Sequence, residues 1–399
     1  MTRLPRCAGN VLLISLFAAC AGEEPGASHR VEVDTVNGVV QIRNSGPGVW
    51  GGAARWTVGS EPRLEIGTVA GSEEYLFGSV ASVLVVPDGR IYVADSQVPE
   101  VRVFDRDGRF QFRIGGRGEG PGEFLHIDAM QLSPAEELLV RDPQQLRLSV
   151  FDPAGNFLRS FRLERPYLQF DNRTSFWVDD QGRIYDRVHL GVDPSIERIG
   201  IISYSDAGAV RDTAVAAAVE LSRIMISQND VPRLSFPVPF TPYPSVAVDR
   251  RGRILAGLGG AYRIAILDAG GDTTGLVTAD IEPDPLPPWV DDSLGIWIQT
   301  RREQAGGGEV SEYSLPDHQP AYSDLIVDAT GHWWAAHGGQ RTTLATEHGI
   351  FNPEGVFLGT VATPRIRIYQ IGEDFIAGRR EDDLGVSYAV VYPLDRGGS

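Results

Sequence analysis

Short runs in which apolar and polar residues alternate recur in pairs along the chain, and a tight-turn signal separates the members of each pair. Five pairs share one register, with an apolar residue four positions before the turn centre and another two positions after it. The turn centres are Gly89, Glu136, Gly182, Gly252 and Gly331. Alternation with a period of two on both sides of a tight turn is typical of a β-hairpin with one buried face. The pattern therefore predicts five equivalent hairpins.

A second hairpin follows each of the first, marked by an apolar or aromatic residue, three further residues and a glycine. The second turns are centred on Gly108, Gly155, Gly208, Gly271 and Gly355. Two hairpins in succession form a unit of four short antiparallel strands, which we call a blade. Copies of one unit along a chain predict a repeat architecture.

A sixth unit is degenerate and one strand short, because only a hairpin at 366–379 and a third strand at 386–393 remain before the chain ends. The run RLEIG at 63–67 precedes the first unit and has no partner there. We expect this N-terminal strand to complete the sixth blade, since closure removes an exposed sheet edge. The predicted fold is all-β, a six-bladed β-propeller of four-stranded antiparallel blades closed by an N-terminal strand.

The predicted boundaries place a signal peptide at 1–19, a flexible tether at 20–30, a β-hairpin and linker at 31–61, and the propeller at 62–395. Asn37–Gly38 supplies the two-residue turn of the N-terminal hairpin. Two long spacings between units indicate insertions. One insertion, near 214–232, has no clear period, and the other, at 287–308, has apolar residues at helical spacing.

These repeats resemble the NHL-type six-bladed β-propellers, and more closely a group of exported bacterial lipoproteins of unknown function. The motifs that carry the resemblance are PDGRIYVAD, VRVFDRDGRF and GGRGEGPGEF, together with their recurring forms. The resemblance implies the fold over nearly the whole repeat region. It implies little about activity, because propellers host many unrelated functions.

The N-terminus has the pattern of an export signal, with Arg3 and Arg6 before an apolar run that ends in small residues. The sequence Phe17-Ala18-Ala19-Cys20 resembles a bacterial lipobox, so Cys20 is the predicted lipidation site. Cys7 leaves with the signal, and no intrachain disulfide is then possible. Ala21 after Cys20 favours the outer membrane. We therefore expect a lipid-anchored protein of the cell envelope, at the periplasmic face of the outer membrane.

The net charge of −17 comes from 53 acidic residues and 36 basic ones, and all of the basic residues are arginine. The absence of lysine excludes a Schiff-base lysine and a P-loop. The glycine-rich stretch GGRGEGPGEF is therefore interpreted as a connector between blades. An acidic chain also lacks the basic surface that nucleic acids require, so we expect no nucleic-acid partner.

Candidate chemistry is sought where the first strand of each blade begins, because these strands line the central channel of a propeller. The channel-lining candidates are His126, Asp128, Asn172, Arg173, Tyr243, His318, Tyr322 and Asp324. The resemblance to propeller lyases, in which channel histidines bind zinc, makes His126 a weak metal candidate, with His318 as a second histidine nearby; Asn172 is the other weak metal candidate. Resemblance to lactonase-type propellers implies calcium near Asp128, Asn172 and Asp324. The alternative is a polar lining with ordered water.

Three hypotheses for function follow from these residues. The first is a membrane-tethered, non-catalytic propeller that binds a protein or a small ligand at its loop face or central channel. The second is a metal-dependent lyase or lactonase-like enzyme with its site in the channel. The third is a sensor or assembly scaffold of the envelope. Neither the catalytic residues nor the ligand can be named from the sequence.

Overall fold

Most of the tight turns share one side-chain arrangement, which explains why they recur so regularly. In the second hairpin of blade 1, Oδ1 of Asp105 accepts the backbone N–H groups of Asp107 and Arg109 at 3.0 and 2.9 Å. Gly108 follows with a φ of +78°, a conformation that costs glycine little. The same pair of backbone hydrogen bonds is accepted by Oδ1 of Asp152, Asp179, Asp249, Asp268, Asp328, Asn352 and Asp382. The glycines that mark the repeat are thus required by turn geometry.

The computed structural model describes residues 28–53, 55–164, 176–190, 196–339 and 344–397. Its N-terminal part contains β1 (Arg30–Val36), β2 (Val39–Ser45), β3 (Thr57–Val58) and β4 (Leu64–Ile66), followed by a 3₁₀ turn at Glu73–Tyr75. Asn37 and Gly38 both have positive φ between β1 and β2, as the predicted type I′ turn requires. Among the described residues, no helix is long and apolar enough to span a membrane.

Blades 1 and 2 follow the predicted plan without interruption. Blade 1 consists of β5 (Val80–Val85), β6 (Ile91–Asp95), β7 (Glu100–Phe104) and β8 (Phe110–Gly115). Blade 2 consists of β9 (Ala129–Leu132), β10 (Leu138–Asp142), β11 (Arg147–Phe151) and β12 (Phe157–Arg162). Each is a four-stranded antiparallel sheet in which strand order follows chain order.

Blade 3 is followed by a hairpin that belongs to no blade. The blade consists of β13 (Phe176–Val178), β14 (Ile184–His189), β15 (Ile196–Tyr204) and β16 (Val210–Glu220). The hairpin consists of β17 (Arg223–Gln228) and β18 (Val231–Pro237). Asn229 and Asp230 form its turn, and both have positive φ. The sequence around 214–232, which showed no clear period, is therefore strand and hairpin.

Blade 4 precedes the second insertion. The blade consists of β19 (Ser245–Val248), β20 (Ile254–Gly257), β21 (Arg263–Leu267) and β22 (Thr273–Ala279), and the insertion holds α1 (Val290–Gln304) and β23 (Glu309–Val310). The helical spacing predicted over 287–308 corresponds to α1. β23 pairs with β17, so the two insertions form one module with a three-stranded sheet. Its small apolar core contains Ile224, Val238, Leu294 and Ile298.

Blades 5 and 6 end the chain. Blade 5 consists of β24 (Tyr322–Val327), β25 (Trp333–His337), β26 (Glu347–Phe351) and β27 (Phe357–Ala362). Blade 6 contains β28 (Arg367–Ile371), β29 (Phe375–Glu381) and β30 (Ser387–Asp395). β4 pairs antiparallel with β30, with Glu65 opposite Val390, and β3 pairs with the far end of β30. The N-terminal part of the chain thus supplies the outer strands of blade 6. That this pairing closes the ring stays a prediction.

Apolar clusters lie between neighbouring blades and make up most of the core. Tyr92 and Phe151 belong to the cluster between blades 1 and 2, and Trp333 packs between blades 4 and 5. Equivalent clusters join blades 2 and 3, 3 and 4, and 5 and 6, and a sixth joins blade 6 to blade 1. Each blade therefore packs against two others.

Residues 30–66 follow the outside of blades 4, 5 and 6, and we call them the N-terminal strap; residue 54 is outside the described part. β2 pairs in parallel with β22 of blade 4. The N–H of Trp50 donates to the carbonyl oxygen of Leu358 in blade 5 at 2.8 Å. β3 and β4 then reach blade 6. The predicted linker at 45–61 is thus anchored along blade 5.

Candidate functional site

The first strands of the six blades (β5, β9, β13, β19, β24 and β28) are edge strands of their sheets and meet at the centre of the molecule. We call them the inner strands. A cavity of about 680 Å³ lies where they run into their first hairpin turns, and all six blades contribute to its wall. We call this part of the molecule the hairpin end, and the opposite part, where the inner strands begin, the entry end.

Apolar side chains form the wall of the cavity, since the inner strands carry branched aliphatic residues up to their turns. The wall includes Leu84, Leu132, Val178, Val248, Ile326 and Ile371. Trp177 of β13 also lines the cavity and is only partly buried. The wall therefore offers an apolar group some contact surface beside the polar residues of the turns.

Side-chain amides link neighbouring inner strands, which form no backbone ladder with one another. The Gln370 amide accepts from the N–H of Val85 at 2.7 Å and donates to its carbonyl oxygen at 3.1 Å. Gln131 Nε2 donates to the carbonyl oxygen of Phe176 at 3.2 Å. These bonds satisfy backbone groups at the edges of the inner strands. They also hold the wall in place between blades 6 and 1 and between blades 2 and 3.

Two ion pairs lie at the mouth of the cavity. Arg250 of blade 4 contacts Asp180 of blade 3 at 2.7 Å, and Arg63 of the strap contacts Asp374 of blade 6 at 3.0 Å. All four side chains are substantially exposed, so each pair contributes at most about 1 kcal/mol to stability. The first pair nevertheless connects blades 3 and 4 at the opening, and the second connects the strap to blade 6.

Two buried carboxylates of the lining are occupied by structural contacts. Asp179 accepts hydrogen bonds from Arg183 Nε at 2.9 Å and from the Tyr185 hydroxyl at 3.0 Å, in addition to its turn bonds. Asp328 accepts from Trp334 Nε1 at 3.0 Å and from Arg396 Nη2 at 2.9 Å. Both carboxylates are held by these donors, which makes them poor general acids or bases.

The predicted channel residues that the structure describes lie at the entry end, and none of them lines the cavity. Tyr322 packs between blades 4 and 5, and its hydroxyl donates to the carbonyl oxygen of Arg263 at 3.2 Å. Burial raises the pKa of this hydroxyl well above its usual range. Tyr243 is buried as well, His318 is exposed beside Pro285, and Asp324 is partly buried. Tyr322 is therefore a core residue, because it points between the blades rather than towards the axis.

Three predicted site residues lie outside the described part of the chain, namely Cys20, Asn172 and Arg173. Lipidation at Cys20 and metal binding at Asn172 therefore stay predictions. His126 is partly buried, and its backbone N–H donates to Asp142 at 3.3 Å. Among the described residues, no three His, Cys, Asp or Glu side chains are grouped closely enough to hold a metal ion.

Asp128 belongs to a charged cluster that the sequence did not reveal. Arg141 of β10 is completely buried, and its Nη1 donates to Asp128 while its Nε donates to Asp186 of blade 3 at 3.0 Å. Within the described part of the chain, Arg141 Nη2 and Asp186 Oδ2 have no hydrogen-bond partner. Burial raises the pKa of Asp186 to about 7, because desolvation outweighs the attraction of Arg141. The same effect raises the pKa of Asp128.

Residues 69–187 match the family model DUF5128, which is described as a 6-bladed beta-propeller. The chain is a six-bladed β-propeller. The match covers blade 1, blade 2 and the start of blade 3. It does not decide whether the propeller is of the NHL type, which stays a prediction.

Several solved structures are similar to this propeller at low sequence identity. A Bacteroides fragilis protein described as exported is 11% identical, with a TM-score of 0.47 over 86% of this chain and 95% of its own. A DUF4221 member from Bacteroides vulgatus is 10% identical, with a TM-score of 0.47 over 86% and 99%. A catalytically inactive virginiamycin B lyase of Staphylococcus aureus with quinupristin is 11% identical, with a TM-score of 0.41 over 85% and 99%. No curated protein matches the chain.

Proposed function

We propose that this propeller is an exported, lipid-anchored binding protein that performs no catalysis and takes its ligand into the cavity at the hairpin end. The observation that carries the proposal is the wall of that cavity, to which all six blades contribute and which combines apolar ends of the inner strands with polar and charged residues of the turns. Ligand sites in proteins are typically concave and apolar, with a few polar groups that orient the ligand. The cavity also has a size that suits a small molecule or a side chain of a partner protein.

The geometry of the cavity favours binding over catalysis. Its two buried carboxylates are engaged by arginine and other donors, and its exposed charged groups lie at the mouth. General acid–base catalysis requires a group whose proton can move within reach of the ligand. Asp179 and Asp328 do not meet that requirement while these donors hold them.

Ligand-observed NMR against a fragment library, with matched variants, tests the proposal. Leu132→Trp fills the cavity, and we expect hits on the wild type to be lost in this variant. Leu158→Trp places the same ring on an exposed site of β12, and we expect binding to persist. Circular dichroism confirms that both variants fold. Hits that survive Leu132→Trp would place the ligand elsewhere and contradict the proposal.

The membrane attachment rests on the sequence alone and has its own test. We expect the wild type to incorporate labelled palmitate and to sediment with membranes. Cys20→Ser should abolish both, whereas Cys7→Ser should leave both unchanged because Cys7 is removed with the signal peptide. Unchanged labelling of the Cys20→Ser protein would contradict lipidation at that residue.

A second function, a metal-dependent lyase or lactonase-like activity, is favoured by one observation at the entry end. His126 and Asp128 are two residues apart at the start of blade 2, which places an imidazole and a carboxylate at the same end of the channel. Metal analysis of the purified, tag-free protein tests this alternative. Stoichiometric zinc or calcium that is lost in His126→Ala would support it, and a metal-free protein would argue against it.

A further inference from the structure

The cavity at the hairpin end has both apolar and polar residues in its wall, and its charged residues include more carboxylates than arginines. Two arginine and six carboxylate side chains line it, namely Arg63, Arg250, Glu136, Asp179, Asp180, Asp328, Glu373 and Asp374. The net charge of the protein has the same sign, at −17. A wall of this composition selects for charge as well as for shape.

Internal ion pairs account for four of the six carboxylates. Asp179 pairs with Arg183, Asp328 with Arg396, Asp180 with Arg250 and Asp374 with Arg63. The two that remain are Glu136, on the first turn of blade 2, and Glu373, on the first turn of blade 6. Neither forms an ion pair with any other residue in the described ranges. The mouth therefore keeps two negative charges that the protein itself does not neutralise.

The wall supplies a third feature, an aromatic face. Trp177 lines the cavity on blade 3 and is only partly buried, so part of its indole is accessible from inside. Tryptophan is the aromatic side chain that attracts cations most strongly. It also offers a flat apolar surface to any hydrocarbon part of a ligand.

We infer that the ligand of this cavity has an apolar body and carries a cationic nitrogen, as an ammonium or guanidinium group. The inference rests on the proposed function. The apolar body lies against the ends of the inner strands and the ring of Trp177, and the cation lies at the mouth, where Glu136 and Glu373 belong to the lining. A neutral ligand of the same shape gains only the first contact, and an anionic ligand is repelled.

Three probes of one shape separate these contributions, namely 4-phenylbutylammonium, 4-phenylbutanol and 4-phenylbutyrate. Isothermal titration of the wild-type protein at low salt is expected to show the ammonium binding about tenfold more tightly than the alcohol, since two nearby carboxylates attract it. The carboxylate is expected to bind most weakly. Added salt should reduce the preference for the ammonium.

Matched double variants locate the effect. Glu136→Gln with Glu373→Gln should bring the ammonium to the affinity of the alcohol and leave the alcohol unchanged. Glu119→Gln with Glu220→Gln removes the same charge from exposed sites away from the cavity, and we expect the tenfold preference to remain. Equal loss in both variants would mean that only the overall charge matters, which overturns the inference.

The outcomes also distinguish this inference from the proposed function. If the ammonium and the alcohol bind equally, and Leu132→Trp abolishes both, the cavity binds ligands but does not select cations. Preferred binding of the carboxylate would overturn the inference in the same way. If none of the three probes binds, the inference fails, and the fragment screen then decides separately whether the cavity binds anything.

Discussion

The two ends of the inner strands differ in what covers them. At the entry end the chain arrives from the outer strand of the preceding blade, so long connectors and the inserted module lie there. At the hairpin end each inner strand turns back within a few residues. Short turns leave the axis open, whereas long connectors can fill it with side chains. The cavity therefore lies where the turns are tightest.

Charge is also distributed differently between the two ends. Asp128, Arg141 and Asp186 form a cluster at the entry end that is buried between blades 2 and 3. At the hairpin end the two ion pairs at the mouth of the cavity are exposed, and most of the other pairs lie within a single turn. Removal of one member of a buried charged cluster lowers the stability strongly, whereas removal of one member of an exposed pair lowers it little. The comparison thus yields predictions of graded size.

The largest expected effect is at Arg141. Arg141→Leu leaves Asp128 and Asp186 without their shared cation, and we expect the free energy of unfolding to fall by about 3–5 kcal/mol at pH 8. Urea unfolding measures this change. Arg250→Leu breaks an exposed pair at the hairpin end and should cost at most about 1 kcal/mol. Similar losses of unfolding free energy in the two variants would contradict the predicted difference between the two ends.

The next effect is the pH dependence of stability caused by Asp186. Because the folded protein raises this pKa from 3.8 to about 7, the unfolded chain releases the proton first as the pH rises. The contribution of Asp186 to stability is therefore complete below about pH 4 and is lost as the pH rises to about 7. The expected loss between pH 5 and pH 8 is roughly 2–3 kcal/mol.

Comparison with Asp186→Asn isolates this contribution, since the variant should lose stability less steeply between pH 5 and pH 8. His348 acts in the opposite direction. Burial lowers its pKa to about 4, so its contribution is lost as the pH falls from about 6.5 towards 4. Parallel curves for the wild type and Asp186→Asn would show that Asp186 is ionised throughout.

A smaller effect is expected at Arg396, whose side chain contacts the turns at the hairpin end of the molecule. Its Nη2 donates to Asp328 at 2.9 Å and to the carbonyl oxygen of Gly372 at 2.8 Å, and its guanidinium lies 4.3 Å from the ring centre of Trp56. Arg396→Ala should cost about 2 kcal/mol. Arg365→Ala, at an exposed site, is the control. If Arg396→Ala leaves the free energy of unfolding unchanged, the hydrogen bonds from Trp334 and from the backbone amides of the turn are sufficient to stabilise the buried Asp328 carboxylate.

The smallest effect is at the one first turn of blades 1 to 5 that lacks glycine. Glu136 has a φ of +60°, which is unfavourable for a residue with a Cβ atom. Glu136→Gly should increase stability by about 0.5 kcal/mol, because relief of backbone strain is partly offset by the freedom of glycine in the unfolded chain. Gly182→Ala is the reverse test, since its Cβ meets no atom within 4 Å, and it should cost about 1 kcal/mol. Thermal melting measures both.

The blades could be predicted because the physics of their turns is local. An Asp or Asn that accepts two backbone N–H groups, and a glycine three residues later, are visible in any one unit. Only part of the module of β17, β18, α1 and β23 could be predicted from the sequence. The helical spacing revealed α1, but the hairpin turn at Asn229–Asp230 lacks glycine and its strands are too exposed to alternate clearly.

The site was harder to predict because its members are far apart in the chain. Arg141 and Asp186 are 45 residues apart and belong to different blades, and in the sequence Arg141 appears only as the polar end of a strand. Residues such as His126 are predicted as candidates because they are polar or ionisable and lie near the start of an inner strand. The cavity instead depends on which end of the axis the connectors leave open, and that follows from packing among all six blades.

The N-terminal strap has a consequence for the order of events in biogenesis. Its partners are β22, blade 5 and β30, which the ribosome makes long after the strap itself. β1 and β2 can pair with each other at once, whereas β3 and β4 lack their native partner until β30 has been synthesised. A chain released early would expose these strands to other proteins. Folding of the N-terminal strap thus requires the last strand of the chain to be present.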